Sequence, residues 1–335
     1  MCGNGLPHSH APEVCVPTEE VSTDNDYARL LADPSALVGK RYNALFEARS
    51  YLTAQETVAA VLGLLQPHTP SILLRHEACY VLGQCGHSDA VPRLRSTVQD
   101  ESEHEITRHE AVEALAALGD RDCVDILKAT AEQTDSVPLR ETCELAIQRL
   151  SQEPELSEVE KSDYNTVDPV STKGLKVSEA DVITLRDKML SPETCLADKY
   201  AALFSLRGIR DSKNNPSMKA AQAIAYVMRH DSSSALFRHE LAFVIAQVAF
   251  DKPDVELIDM IASCFQNDKE HCMVRHEAAV ALGSIGGQRS YEVLSDYVKD
   301  KGVDSDNQDE AIVVESCIVA LESLSYWANQ ATAAN

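Results

Sequence analysis

Four copies of the triplet Arg-His-Glu, each opening an apolar run, constrain this chain more than any other feature. They stand in "SILLRHEACYVLGQC" (Arg75-His76-Glu77), "ITRHEAVEALAALG" (Arg108-His109-Glu110), "ALFRHELAFVIAQV" (Arg238-His239-Glu240) and "MVRHEAAVALGSIG" (Arg275-His276-Glu277). With 17 Arg, 11 His and 28 Glu in 335 residues, chance placement gives roughly 0.05 copies. The copies are 33 residues apart in the first half of the chain and 37 in the second. Helical patterns between them are broken by short polar turns such as "GHSDAVPRL", "GDRDCVDIL" and "GGQRSYEVL". A period of this length, with two helices in each repeat, predicts an α-solenoid.

A larger duplication overlies the small one. "RYNALFEARS" at 41–50 matches "KYAALFSLRG" at 199–208, "SILLRHE" matches "SALFRHE", and "ETCELAIQRL" at 141–150 matches "ESCIVALESL" at 315–324. The fold class expected is therefore all-α: eight HEAT-like helix pairs in two pseudo-symmetric halves. Residues 27–150 and 178–328 would form the halves. The acidic, aperiodic stretch 151–177 would link them. Residues 1–26 would be a disordered extension and 329–335 a tail.

Composition agrees. The chain is 44% hydrophobic but only 5% aromatic, a balance that suits close-packed helices better than a β-sandwich. Its formal charge of −23 repels nucleic acid and anionic membranes and favours cationic partners. No 18-residue apolar run is present to span a membrane. The ten cysteines include no Cys-x-x-Cys pair, so they read as reduced thiols of a cytoplasmic protein. A monomer is expected.

At about 100° per residue, Ala78, Val81, Leu82 and Cys85 form the packing stripe of the first triplet helix. Ala111, Ala114, Leu115 and Leu118 form that of the second. Leu241, Val244, Ile245 and Val248 serve the third, and Ala278, Ala281, Leu282 and Ile285 the fourth. The four His-Glu pairs then share the opposite face, expected to line the concave surface. Arg75, Arg108, Arg238 and Arg275 lie nearer the stripe and read as ion-pairing struts between repeats. Gly83, Ala116, Ala246 and Gly283, two turns beyond each His, would leave room for a bulky guest. One His-Glu pair near a helix start is commonplace, because Glu suits the positive end of the macrodipole. His104-Glu105 is such a pair; it lacks the Arg and reads as a loop or cap. Four pairs on one face need another explanation.

Imidazoles and carboxylates converging without thiolates make an N/O metal site, suited to iron or manganese and less specifically to zinc. Four carboxylates close together would raise one another's pKa values, and two divalent ions would relieve that. Each ion could take two His and one Glu with positions left open, as in oxygen-activating ferrous sites. The same helices could instead form a metal-free scaffold for a protein partner, or a dinuclear hydrolase or lyase of a related short-repeat family.

The four His-Glu motifs, the split-repeat order and the phrases "SALFRHE", "MVRHEA" and "ETCELA" closely resemble the deoxyhypusine hydroxylase family over about residues 27–327. The resemblance implies two HEAT-repeat halves around a non-haem pair of Fe²⁺ ions, with O₂ as co-substrate and an external electron donor. It implies a protein substrate, the deoxyhypusine-bearing eukaryotic translation factor five-A. Carried over by motif, His76, His109 and Glu110 would hold one iron, and His239, His276 and Glu277 the other. Glu77 and Glu240 would sit at the metals and hold the substrate amines. Ala116 and Ala246 stand where the family pattern usually has Gly, and would narrow the cleft slightly.

Overall fold

Each triplet helix starts on a polar cap, because its first amides have no partner inside the helix. Ser71 Oγ accepts from the Leu74 amide at 3.1 Å, and Ser234 Oγ from the Phe237 amide at 3.0 Å. His104 and His271 do the same through Nδ1, each accepting from the amide two residues on at 3.3 Å. The first triplet helix ends at Gly86, whose φ of +70° supplies the left-handed stop that other residues disfavour. The computed structural model describes residues 24–66, 71–151, 164, 166–170, 176–302 and 306–333.

These residues form sixteen α-helices in eight pairs. The first four pairs are α1 (Asp24–Ala32) with α2 (Val38–Tyr51), α3 (Ala54–Val61) with α4 (Ile72–Cys85), α5 (Val91–Gln99) with α6 (Glu105–Ala117), and α7 (Val124–Gln133) with α8 (Val137–Ser151). The others are α9 (Val182–Leu190) with α10 (Leu196–Arg207), α11 (Met218–His230) with α12 (Ala235–Val248), α13 (Val255–Phe265) with α14 (Cys272–Ile285), and α15 (Gly287–Lys301) with α16 (Gln308–Ala333). The only bridge among the described residues is an isolated one between Arg210 and Pro216. None of the helices there is long and apolar enough to cross a membrane. The expected helix pairs and pseudo-symmetry are thus present.

The second member of each pair packs on the next, α2 to α8 in one half and α10 to α16 in the other. The two rows then meet: α8 touches α12, and α16 touches α2 and α4. The inner helices therefore close into a ring, and every residue of α14 is buried. All sixteen stripe positions except Cys85 and Leu118 are fully buried. The apolar core falls into two clusters, one per half. Ile72, Ile106 and Leu145 of the first half join the second cluster, and Val319 of the second half joins the first.

Four sequence expectations are corrected. Gly83 and Gly283 leave no room for a guest. A Cβ at Gly83 would lie 2.7 Å from Ala114 Cα, and one at Gly283 2.9 Å from Ala320 Cα. Their missing side chains let α4 approach α6, and α14 approach α16. Among the described residues of the stretch 151–177, Tyr164 and Thr166 are buried and Thr166–Pro169 pack beside the His-Glu cluster, which is more than a connector does. The tail expected from 329 continues α16 to Ala333, since "ANQATA" holds no helix breaker. At the other end α1 begins at Asp24, with Tyr27 and Leu31 buried; residues 1–23 lie outside the described residues.

Candidate metal centre

The ring brings all eight predicted residues together. His76, Glu77, His109, Glu110, His239, Glu240, His276 and Glu277 are each buried, none more than 6% exposed. They come from α4, α6, α12 and α14, so each half supplies two neighbouring helices. The imidazole rings stand 4.9 Å (His76–His276) to 6.1 Å (His76–His239) apart. The donor atoms of His76, His109 and Glu110 lie within 4.8 Å of one another, as do those of His76, His239 and His276. The two groups of donor atoms are thus adjacent, with His76 belonging to both.

Within each half the carboxylate bridges two imidazoles. Glu110 Oε2 is 3.4 Å from His76 Nε2 and 3.6 Å from His109 Nε2. Glu277 Oε2 is 3.7 Å from both His239 Nε2 and His276 Nε2. None of these four Nε2 atoms is satisfied by a hydrogen bond. The separations come close to the spacing of about 3.0–3.6 Å between donors that would share one ion at about 2.0–2.2 Å each.

The chemistry of the donors points the same way. Both ring nitrogens of His76 and of His239, Nε2 of His109 and of His276, and Oε1 of Glu277 are buried with no hydrogen-bond partner. Native interiors rarely leave so many orphans in one place. Burial lowers the His76 and His239 pKa values to about 3, and lowers His109 and His276 as well. Burial raises Glu77 to about 8 and also pushes up Glu110, Glu240 and Glu277, with further repulsion from neighbouring glutamates at the last three. Neutral imidazoles facing crowded carboxyls are a donor set that divalent cations stabilise. The residues present therefore fit a pair of metal ions.

In the second histidine of each half, Nδ1 faces a hydroxyl. His109 Nδ1 is 3.3 Å from Thr142 Oγ1, and His276 Nδ1 is 3.5 Å from Ser316 Oγ. Each hydroxyl proton is committed to a carbonyl one turn back, of Pro138 or Ile312, at 2.8 Å. The oxygen must then accept, so Nδ1 carries the ring proton and Nε2 keeps its lone pair.

A cavity of about 1000 Å³, counting its open mouth, leads to this cluster. Glu77, Glu113 and Glu240 give it an acidic lining, while Phe46, Tyr80 and Phe243 give it an apolar one. Glu113, one turn beyond His109, is raised by burial to about 7. Val280 holds the corresponding place after His276, so the two halves differ there. The wall near the mouth is Thr166–Pro169. Arg207 fastens it by an ion pair to Asp168 and a 3.2 Å bond to Thr166 Oγ1, and the Val167 amide donates to Gln84 Oε1 at 3.0 Å.

The struts fall into two kinds. Arg75 pairs with Glu103 through two bonds of 2.8 and 2.9 Å, and Arg238 with Glu270 through two of 2.9 and 2.8 Å. Arg275 pairs with Asp268 and Glu310 at 3.4 and 3.7 Å and also donates to the Phe265 carbonyl at 3.0 Å, whereas Arg108 donates to the Val98 carbonyl at 3.0 Å. His104 is a cap, as expected. Its Nε2 lies 3.1 Å from Asp309, and His271 Nε2 lies 3.0 Å from Glu105. Cys272 sits between them, 3.2 Å from Asp309. This second cluster does not suit a metal. Nδ1 of each ring accepts an amide proton, so Nε2 holds a proton and faces a carboxylate that accepts it.

Sequence reasoning missed Thr142, Ser316, Glu113, Arg207 and the 166–169 wall. A signal was present for the first two: a hydroxyl recurs at the same place in the duplicated segments "ETC" and "ESC".

Residues 58–148 match the HEAT repeats family, and residues 274–300 match the PBS lyase HEAT-like repeat. The chain is 36% identical to deoxyhypusine hydroxylase-B of Oryza sativa subsp. japonica over 301 residues, covering 88% of this chain and 90% of that protein. It is 34% identical to the deoxyhypusine hydroxylase of Gibberella zeae over 331 residues, covering 96% and 94%. The solved structure of human deoxyhypusine hydroxylase in complex with glycerol superposes with a TM-score of 0.75 at 32% identity, covering 90% of this chain and 96% of that one. Four buried His-Glu motifs on two facing rows of helices, together with this likeness over nearly the whole length, place the chain in the deoxyhypusine hydroxylase family.

Proposed function

We propose that the protein hydroxylates the deoxyhypusine side chain of translation factor five-A, using O₂ at a non-haem pair of ferrous ions. The observation that carries this reading is the repeated geometry of Glu110 between His76 and His109, and of Glu277 between His239 and His276. Those six residues would hold the ions, two imidazoles and one carboxylate to each, with positions left open for other ligands. When bound, iron supplies the O₂ activation that attack on an unactivated C–H bond requires and that no side chain provides.

The chain's own residues bind and orient the substrate. Deoxyhypusine is a long aliphatic chain bearing amines that are cationic at neutral pH. Phe46, Tyr80 and Phe243 receive its methylenes, and Glu77 and Glu240 receive its amines in charge-assisted hydrogen bonds. The enclosing ring keeps bulk water from the reacting carbon. The net charge of −23 favours approach of a basic protein surface. We place this activity in the cytoplasm and assign it to a monomer.

Elemental analysis of the purified protein, combined with mass spectrometry of the deoxyhypusine-bearing factor after incubation with protein, O₂ and a reductant, tests the proposal. Two irons per chain and a gain of one oxygen on the factor are expected. A metal-free protein that leaves the factor's mass unchanged would be a binding scaffold, and the proposal would fail. Zinc or manganese with no oxygen gained would favour hydrolytic or lyase chemistry.

A further inference from the structure

The short segments Glu141-Thr142 on α8 and Glu315-Ser316 on α16 are related by the internal duplication, and each makes the same two contacts. The hydroxyl of Thr142 or Ser316 faces Nδ1 of the second histidine in its own half. The preceding glutamate reaches into the other half. Ser234 Oγ donates to Glu141 Oε2 at 2.6 Å, and Ser71 Oγ donates to Glu315 Oε2 at 2.7 Å. Ser234 and Ser71 are the caps that start α12 and α4, the helices that carry His239-Glu240 and His76-Glu77. Each serine thus spends its lone pair on its own helix and its proton on the opposite half. Because this arrangement occurs twice, related by the pseudo-symmetry, one accidental contact does not account for it.

We propose that these two segments are crossed braces, which position the metal ligands and tie each subsite to both halves of the molecule. This inference rests on the dinuclear reading above. Thr142 orients His109, and Glu315 anchors the helix of His76; both act on the subsite of His76, His109 and Glu110. Ser316 orients His276, and Glu141 anchors the helix of His239; both act on the subsite of His239, His276 and Glu277. Thr142, Ser316, Glu141 and Glu315 are positioning residues that act through the histidines and helix starts they hold; Thr142 also borders the cavity.

The crossing makes a distinctive prediction for Co²⁺ titration of the full-length, chelator-stripped protein. Wild type should take up two ions. Thr142→Val should weaken one of them about 10- to 100-fold, the usual effect of losing an outer partner of a ligating histidine. Thr142→Ser should restore it. Combining Thr142→Val with Glu141→Ala, neighbours in sequence, should weaken both ions. Combining Thr142→Val with Glu315→Ala, in opposite halves, should weaken one ion only. Circular dichroism should show helix content retained in each variant. Wild-type affinity for both ions in Thr142→Val, or the reverse pattern in the two double variants, would overturn the crossed assignment.

A metal-independent measurement separates failure of the brace from failure of the dinuclear reading. In long-range ¹H–¹⁵N spectra of the metal-free protein, His109 and His276 should be Nδ1-protonated tautomers, and Thr142→Val should change His109 alone. No metal uptake by wild type would sink the dinuclear reading. Unchanged His109 spectra in Thr142→Val would sink the brace, whatever the metal result.

Discussion

At the scale of single residues, the centre relies on side chains whose burial is costly unless something binds them. The orphaned nitrogens of His76, His239 and His276 have no other evident use. His76→Ala or His276→Ala is expected to remove at least one ion per chain and abolish hydroxylation, while circular dichroism stays that of a helical protein. Retained metal and activity in either variant would refute the ligand assignment. Glu77 and Glu240 line the cavity without bridging two imidazoles. Glu77→Ala should therefore raise KM several-fold with both ions retained; loss of iron would make Glu77 a direct ligand.

At the scale of helices, close approach matters as much as chemistry. Gly83 has Ala114 backbone where its Cβ would be, so α4 cannot take a methyl group there without moving away from α6. Gly83→Ala should cost about 1–3 kcal/mol in denaturant unfolding. Because α4 and α6 carry His76 and His109, metal affinity should fall with it. This glycine also shows how far the sequence could be read. The period, the helix pairs and the four His-Glu pairs depend on spacings of one to thirty-seven residues along the chain, and they were legible. The purpose of Gly83 depends on which backbone packs against it, that of Ala114 on α6, and no repeat spacing records that; its small size alone suggested an opening that is absent. The 166–169 wall was hidden for the same reason. Its polar composition resembles a linker, and only the buried Arg207 facing Asp168 reveals an anchored segment. Thr142 and Ser316 are marked only by their recurrence in the duplicated segments, which does not tell which imidazole each hydroxyl will meet.

At the scale of the whole molecule, the halves are joined by polar contacts around the centre as well as by shared apolar core. His271 of the second half meets Glu105 of the first. That hydrogen bond is the main cause holding the Glu105 carboxyl at about 2, below its ordinary 4.5. With the pKa depressed in the folded protein, the unfolded chain binds the extra proton. The stability contributed by this contact is complete above about pH 4.5 and fades as pH falls toward 2. The Glu105 side chain is 32% exposed, so solvent screening keeps the effect modest. Urea unfolding of wild type and Glu105→Ala should differ more at pH 6 than at pH 3; an equal difference would show that the contact has no electrostatic part.

The closure of the inner helices has a consequence for biosynthesis. Domains emerging from the ribosome can fold before the chain is finished, and α1 to α8 already include His76, His109 and Glu110. Yet the start of α4 is fastened by Glu315 on α16, 244 residues further along the chain. A nascent chain would thus offer iron only a loosely shaped nest. Tight capture of the proposed ions would wait until α16 has been made and has packed on α4.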